Sequence, residues 1–293
     1  MASRPAVERM SSEELVVELL PAVGGRCHRV QAFGRDLLRV PEDASVLGED
    51  PFFWGWYPLV PWSNRVPGAQ LAWRGRHIHL PANYPDGSAL HGLAYAAPWS
   101  VRAPGDYEFR YAGGAFPWDH TARQTWTVEG PTLTQVLTVE NQSGQPMPAG
   151  LGIHPWWLAD GRLEVHVPCR QAYDCRDGLA IGPPVPARPL AGPVPWGTDH
   201  LFTGLEANEV LLRWPDWDIE AVLAFSGPAD HVHVAAFEHA GAVAVEPVTH
   251  AGDGHRRLED GEPGAIDVLL PGATLSVEYR LTVRTAGGDA AKG

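Results

Sequence analysis

The sequence predicts an all-β protein built as a large antiparallel β-sandwich, and two observations support that prediction. First, 32 glycines and 28 prolines are spread along the 293 residues, which leaves little room for long helices. Second, the segments between them are short and rich in valine, leucine, threonine and aromatic residues, and many alternate apolar with polar positions, as half-buried strands do. Strand patterns do not alternate regularly with helix patterns, so an antiparallel sandwich is favoured over a parallel sheet.

Individual strands can be assigned along the chain. In order, the predicted strands are ELVVELL, QTWTVEG, LTQVLTVEN, LEVHVPC, EVLLRWP, IEAVLAF, HVHVAAFE, AVAVEPV and TLSVEYRLTVR. Pro247 in AVAVEPV is expected to end its strand at Glu246, because proline has no backbone N–H for the ladder. Strands of the same character lie on both sides of the proline-rich stretch from Pro183 to Pro195. We therefore interpret that stretch as a long loop within a single domain of residues 1–285, followed by a flexible tail, 286–293.

Charge and composition narrow the classes of partner. The chain has 35 acidic and 22 basic side chains, a formal net charge of −13, which is the wrong sign for binding nucleic acid. No uncharged apolar run reaches membrane-spanning length, and the acidic N-terminal segment does not resemble a signal peptide. Cys27, Cys169 and Cys175 lack metal-type spacing, which predicts reduced thiols. We expect a cytoplasmic monomer or homodimer that binds a small neutral molecule and no membrane.

Four segments interrupt the strand pattern with a titratable or cationic residue among small or apolar ones. They are VPWSNRVPG with Arg65, ALHGLA with His91, GLGIHPWWLAD with His154, and VAVEPVTH with Glu246. Each residue taken singly is most often structural or solvent-facing. Together they suit proton transfer on a sugar, because a carboxylate can act as base and an imidazole as acid near neutral pH. Tryptophan supplies a flat apolar face for the C–H side of a pyranose ring.

These segments resemble, in order, the motifs of the aldose 1-epimerase (galactose mutarotase) family. VGGRCHRVQAFGRDLL is similar to the family's N-terminal Gly-Gly strand, PWSNR to its arginine motif, and LPANYPDGSALHG to the stretch with its first histidine. GIHPWW resembles the second-histidine motif, GTDHLFTG the aspartate motif, VAVEPVTHAGDG the glutamate motif, and LPGATLSVEYRLTV the closing strand. The resemblance extends from Gly24 to Val283.

The resemblance implies a function and roles for individual residues. It implies a galactose mutarotase-like supersandwich that interconverts the α and β anomers of an aldose without a cofactor or metal. Glu246 would be the general base and His154 the general acid, while His91 would polarise or position the substrate. Arg65 and Asp199 would bind ring hydroxyls.

The predicted substrate site is completed by three neighbours of these residues: Asn64, Trp156 and Trp157. His231 and His233 face one way on HVHVAAFE, and we interpret them as a polar strand face rather than a metal pair.

Departures from the family pattern indicate a divergent member. Leu93 follows Gly92 where the family often has a second glycine, and His250 is followed by the charged segment HRRLEDGE. Two alternatives therefore stay open. One is an epimerase that acts on a non-standard cyclic hemiacetal or lactone, and the other is a non-catalytic carbohydrate-binding protein.

Overall fold

The computed structural model describes residues 5–41 and 50–287, and strands dominate them. The all-β prediction is confirmed. Within these ranges there is one α-helix, α1 (Gly254–Asp260), and no helix there is long and apolar enough to cross a membrane. Ala286 and Gly287 form a turn, while the rest of the predicted tail, 288–293, lies outside the described residues.

The strands follow one another closely along the chain, as the sequence pattern predicts. In order they are β1 (Glu8–Ser11), β2 (Leu15–Leu20), β3 (Arg26–Ala32), β4 (Arg35–Asp36), β5 (Trp56–Leu59), β6 (Arg65–Val66), β7 (Gln70–Trp73), β8 (Arg76–His79), β9 (Ala89–Leu90), β10 (Ser100–Ala103), β11 (Asp106–Tyr111), β12 (His120–Glu129), β13 (Thr132–Asn141), β14 (Met147–Ala149), β15 (Gly152–Leu158), β16 (Glu164–Val167), β17 (Cys169–Arg176), β18 (Leu179–Pro186), β19 (Leu190–Pro193), β20 (Asp199–Leu205), β21 (Glu209–Trp214), β22 (Ile219–Phe225), β23 (His231–Phe237), β24 (Ala242–Val248), β25 (Asp267–Leu269) and β26 (Thr274–Thr285).

Most of these strands belong to two large antiparallel sheets. In the described part of the chain, the first sheet has the order β1-β2-β3-β5-β15-β24-β23-β20-β17-β18, with β4 paired to β3. The second sheet has the order β10-β11-β12-β13-β26-β22-β21-β16-β19. Three short pairs, β6 with β9, β7 with β8 and β14 with β25, lie outside these sheets. Strands distant in sequence, such as β5, β15 and β24, are neighbours in the first sheet and so bring distant motifs together.

The two sheets pack face to face around a tryptophan-rich core. Trp56 on β5 contacts Trp126 on β12 with ring centroids 5.6 Å apart, and its indole N–H donates to Gln135 Oε1 at 2.9 Å. Burying an aromatic side chain removes about 150–250 Å² from water, a gross gain of about 4–6 kcal/mol. One core cluster takes residues from Leu15 to Val283, and we therefore continue to propose a single domain.

The proline-rich stretch from Pro183 to Pro195 is where the fold departs from expectation. It is not a long loop, because β18 and β19 take up most of it. Both are the last strands of their sheets in the described order. An edge strand leaves one side unpaired, so a proline there removes no ladder hydrogen bond when its nitrogen faces outward.

Candidate active site

A cleft of about 430 Å³ opens on the face of the first sheet that does not contact the second sheet. The residues that line the cleft come from strands of the first sheet and from the loops beside it: Phe52, Phe53, Tyr57, Asn64, Arg65, Tyr84, Leu90, His91, His154, Trp156, Asp199, His233, Ala235, Phe237 and Glu246. Seven of the eight predicted site residues are among them.

Four side chains form a row across the floor of the cleft, one from each of four adjacent strands. Tyr57 on β5 lies opposite His154 on β15, and Glu246 on β24 lies opposite His233 on β23. His154 and Glu246 in turn lie midway between two ladder pairs of β15 and β24, Gly152 with Val248 and Trp156 with Ala244. The row therefore reads tyrosine, histidine, glutamate, histidine.

Alternation along β15 separates the residues of the cleft from those of the core. His154 and Trp156 face the cleft, whereas Ile153 and Trp157 belong to the core between the sheets. Trp157 is fully buried there and contacts Trp214 with ring centroids 6.2 Å apart. The prediction that Trp157 binds substrate is therefore wrong, because adjacent residues of a strand point to opposite faces.

Two prolines interrupt the ladder beside the row. Pro155 follows His154 and Pro247 follows Glu246, and neither can donate a backbone hydrogen bond. Among the described residues, the β15–β24 ladder has no pairs between those of Gly152 and Trp156. The expectation that Pro247 ends its strand was wrong, since β24 continues to Val248 and pairs with β23 through Pro247 itself. Pro155 on β15 and Pro247 on β24 interrupt the same stretch of the ladder between these two strands. Proline is therefore tolerated inside the sheet at this point.

His154 and Glu246 form a buried acid–base pair. His154 Nε2 lies 3.2 Å from Glu246 Oε1, and both side chains are almost fully buried. Burial raises the pKa of Glu246 to about 7, because the ionised carboxylate loses its water. Burial also lowers the pKa of His154 well below its ordinary value, and the charges of His91, His233 and Arg26 lower it further. Both shifts favour the neutral form of each group, so near neutral pH the pair shares one proton.

Aromatic rings hold the His154 imidazole in place on three sides. Tyr57 stacks on it with centroids 4.6 Å apart, and Trp156 lies at 5.0 Å. His91 meets it edge-on at 4.9 Å. Within the described residues, Nδ1 of His91 and Nδ1 of His154 have no hydrogen-bond partner. These two ring nitrogens are buried polar atoms that the surrounding side chains leave unsatisfied.

A tight turn places His91 against His154. His91 and Gly92 both have positive φ, 62° and 76°. A Cβ at position 92 would lie 2.0 Å from the Val60 carbonyl oxygen, so only glycine fits there. The Leu93 N–H donates to the same oxygen at 2.7 Å and fixes the turn.

Polar groups line the wall of the cleft beside the row. Arg65 Nε donates to Asp86 Oδ2 at 3.0 Å, and the backbone N–H of Arg65 donates to Asn64 Oδ1 at 2.7 Å. Asp199 Oδ1 lies 2.6 Å from His233 Nε2. Charged donors and acceptors of this kind bind hydroxyl groups by charge-assisted hydrogen bonds.

Several residues of the cleft were not predicted from the sequence. His233 is almost fully buried and lines the cleft, so the interpretation as a polar strand face was wrong for it. Its period-two spacing with His231 was a usable signal, but the facing Asp199 and Glu246 depend on the sheet order. Four aromatic residues of the wall were also missed, although Tyr84 lies within the segment LPANYPDGSALHG: Phe52, Phe53, Tyr84 and Phe237.

His250, one of the departures from the family pattern, lies behind the floor of the cleft and has a structural role. The Ser63 N–H donates to its Nε2 at 3.1 Å, and its Nδ1 donates to the Ala251 carbonyl at 2.7 Å. Burial lowers the pKa of His250 to about 4. It is therefore a neutral imidazole that joins two loops.

The cleft also offers a set of potential metal ligands. Ligand atoms of His91, His154 and Glu246 lie within 4.8 Å of one another in the described chain. Zinc bonds to nitrogen and oxygen are about 2.0–2.2 Å long, so an ion would have to draw the widest pairs inward. It would also occupy the nitrogen and oxygen atoms that acid–base chemistry needs. The spacing of these three side chains therefore does not match a preformed zinc site.

Comparisons with known proteins agree with this geometry. Residues 13–247 match the sequence model of a family described as Aldose 1-epimerase. The Escherichia coli protein YphB, described as uncharacterised, is 26% identical over 279 residues, which cover 87% of this chain and 92% of YphB.

Two solved structures share the fold. A candidate aldose 1-epimerase from Escherichia coli has a TM-score of 0.81 and 23% identity, covering 96% of this chain and 99% of its own. A galactose mutarotase-like protein from Clostridium acetobutylicum has a TM-score of 0.79 and 16% identity, covering 94% of each chain. At these identities the likeness indicates a common fold, which confirms the predicted supersandwich.

Proposed function

The chain belongs to the aldose 1-epimerase family, and from that premise we propose that it is a mutarotase that interconverts the α and β anomers of an aldose. The observation that carries the proposal is the buried pair of His154 and Glu246, 3.2 Å apart, with opposite pKa shifts. A raised pKa makes the Glu246 carboxylate a stronger base, and a lowered pKa makes the His154 imidazolium a stronger acid. Both are the directions that ring opening requires.

In the proposed reaction, the Glu246 carboxylate accepts the proton of the anomeric hydroxyl while His154 donates a proton to the ring oxygen. The bond between C1 and the ring oxygen breaks as the C1 carbonyl forms, and both protein groups end neutral. Rotation about C1–C2 presents the other carbonyl face, and the reverse transfers close the ring. Protons are conserved, because one leaves the substrate as another enters it.

The remaining residues of the cleft have positioning roles in this proposal. Arg65, Asn64 and Asp199 offer hydrogen bonds to ring hydroxyls, and His91 polarises the anomeric region from beside His154. Trp156 lines the cleft and offers a flat apolar surface to the C–H face of the sugar. A positioned acid and base contribute about 10²- to 10⁴-fold each, which is ample for a reaction that proceeds slowly in water.

Polarimetry tests the proposal directly. The optical rotation of freshly dissolved α-glucose, α-galactose and other aldoses should reach its equilibrium value faster with the purified protein. Glu246→Gln or His154→Gln should lower kcat by two or more orders of magnitude. Matched controls change a buried residue of the same type in the second sheet, Glu220→Gln and His120→Gln, and should keep activity within a few-fold. Sugar binding without any acceleration would instead support a carbohydrate-binding protein.

A further inference from the structure

His233 is a buried histidine of the cleft to which the proposed reaction gives no part. It lies on β23, and Asp199 Oδ1 on β20 is 2.6 Å from its Nε2. Burial opposes protonation of this ring, but the hydrogen bond to Asp199 and the charge of Glu246 outweigh it and raise the pKa of His233. The pKa of Asp199 is lowered despite its own burial, chiefly by the same hydrogen bond. His233 and Asp199 are therefore best described as an ion pair.

The charges around His233 come from several elements. Those that face it are Asp199 on β20, Glu246 on β24, His154 on β15, Arg65 on β6 and His91 in the turn after β9. Arg65 is paired with Asp86, and both His91 and His154 have pKa values well below the ordinary one. Among these charges, that of His233 does most to lower the pKa of Glu246, the charge of Asp199 opposes it, and Arg65 adds a smaller lowering effect.

The order of the four residues in the row determines which member of the acid–base pair the charge of His233 affects more. Glu246 lies between His154 and His233, one strand from each, and neighbouring strands are about 4.8 Å apart. We propose that His233, anchored by Asp199, is a positioning residue that increases the fraction of the acid–base pair in which Glu246 is ionised and the shared proton is on His154. A positive charge beside Glu246 stabilises its carboxylate strongly and repels a proton on His154 less, because His154 is one strand farther away.

This inference rests on the proposed function, since it concerns whether His154 or Glu246 carries the shared proton before the reaction. Ring opening needs the form with ionised Glu246 and protonated His154, whereas burial favours the form in which both are neutral. His233 offsets part of that burial penalty. It thereby increases the reactive fraction of the enzyme without entering the proton transfer itself.

The test is the pH profile of kcat for His233→Gln, which removes the charge and keeps a hydrogen-bond donor. An opposite charge within about 4–6 Å usually shifts a carboxyl pKa by 1–3 units. We expect the basic limb of the profile to move up by about 1 pH unit and kcat to fall about tenfold, with KM changed by less than about threefold. His233→Lys restores a cation beside Asp199 and should return the limb toward that of the wild type.

His231→Gln is the matched control. His231 lies two residues away on the same strand, is equally buried and has its own carboxylate partner, with Nδ1 2.5 Å from Asp230 Oδ1, but it does not line the cleft. Its substitution should leave the pH profile unchanged. A His233→Gln protein whose kcat falls equally at every pH, with the limb unmoved, would assign His233 a packing role and overturn the proposal.

A titration of the wild-type protein separates this inference from the proposed function. With ¹⁵N-labelled histidine, assigned by comparison with His233→Gln, the His233 ring should lose its proton at a higher pH than an ordinary histidine. The pKa of the Glu246 carboxyl, followed by ¹³C labelling, should rise in His233→Gln. These results need no substrate, so they stand even if no aldose is turned over. A His233 ring that is neutral at pH 6 would contradict the ion pair.

Discussion

Glu246 and His154 are the acid–base pair of the proposed reaction, and their burial reverses the order in which two such residues ordinarily titrate. An isolated glutamate loses its proton near pH 4.3 and a histidine near pH 6.5. In the cleft the pKa of Glu246 is raised to about 7 and that of His154 is lowered well below its ordinary value. The two groups therefore titrate as a coupled pair, and the reactive form is part of its one-proton state.

This coupling predicts a bell-shaped pH profile for mutarotation. Above about pH 7 the pair loses its one proton, so activity should fall on that side because no proton remains for the ring oxygen. The acidic limb, where the pair gains a second proton, should lie well below pH 6.5. Polarimetry at constant ionic strength between pH 4 and pH 9 measures both limbs. A plateau that extends to pH 9 would be incompatible with a pKa of about 7 at Glu246.

The same burial predicts that the ionised carboxylate of Glu246 destabilises the fold. Burial raises the pKa of Glu246 from its ordinary value to about 7, so the folded state loses stability as the pH rises from the ordinary pKa through this raised one. At pH 8, Glu246→Gln should therefore be more stable than the wild type by up to about 3 kcal/mol, at about 1.4 kcal/mol per pH unit. Urea unfolding at pH 5 and pH 8 measures this, and the gain should shrink at pH 5.

The control for that measurement is Glu220→Gln in the second sheet, where the carboxylate is ion-paired with Arg213 and Arg284. Glu220→Gln should lower the free energy of unfolding, because the substitution removes the negative charge that pairs with the two arginines. Equal effects of the two substitutions on the free energy of unfolding at both pH values would contradict the conclusion that the buried carboxylate of Glu246 destabilises the fold.

At the scale of single elements, β15 shows how one strand serves both the cleft and the core. Trp156 and Trp157 are adjacent and chemically identical, yet one lines the cleft and the other contacts Trp56 and Trp214 in the core. Trp156→Phe should raise KM several-fold, and it should also lower the free energy of unfolding, because the buried indole N–H donates to the Phe52 carbonyl. Trp157→Phe should leave KM unchanged and lower the free energy of unfolding by about 1–3 kcal/mol. Kinetics and urea unfolding of both variants distinguish the two faces, and a rise of KM in Trp157→Phe would contradict the assignment.

The elements also show what the sequence can and cannot predict. Period-two patterns and flanking turns identify β13, β22 and β24 directly, because those residues bury one or both faces of a strand. The strands β18 and β19 were missed since their prolines suggest a loop, and only their place at the sheet edges makes those prolines tolerable. The partnership of His233 with Asp199 depends on β23 lying beside β20. That order is fixed by long-range packing and leaves no local pattern.

At the scale of the whole molecule, one hydrophobic core joins the two large sheets. Its residues run from Leu15 on β2 to Val283 on β26, so neither sheet can lose its partner without exposing the shared core. Thermal unfolding followed by calorimetry should show one transition, coincident with the loss of tryptophan fluorescence and of far-ultraviolet circular dichroism. Two separated transitions would indicate two domains instead of one.

Only part of the site could be predicted from the sequence. Glu246, His154, His91, Arg65 and Asp199 each stand in a motif, and the structure brings all five to one cleft. Phe52, Phe53 and Tyr84 come from loops whose course depends on the finished sheets, so no spacing rule predicts them. The sequence also gives no measure of burial, and burial is what tunes the acid–base pair.

Side chains along β15, β23 and β24 alternate between the two faces of the sheet, and this alternation affects how the protein can diversify. Each residue that touches the cleft has neighbours that face the opposite sheet, as His154 has Ile153 and Glu246 has Val245. Mutations in every second position can therefore reshape ligand preference while the intervening positions continue to hold the sandwich together. A natural lineage or a laboratory library can therefore vary the positions that face the cleft, to select for new ligands, and leave the positions that face the core unchanged.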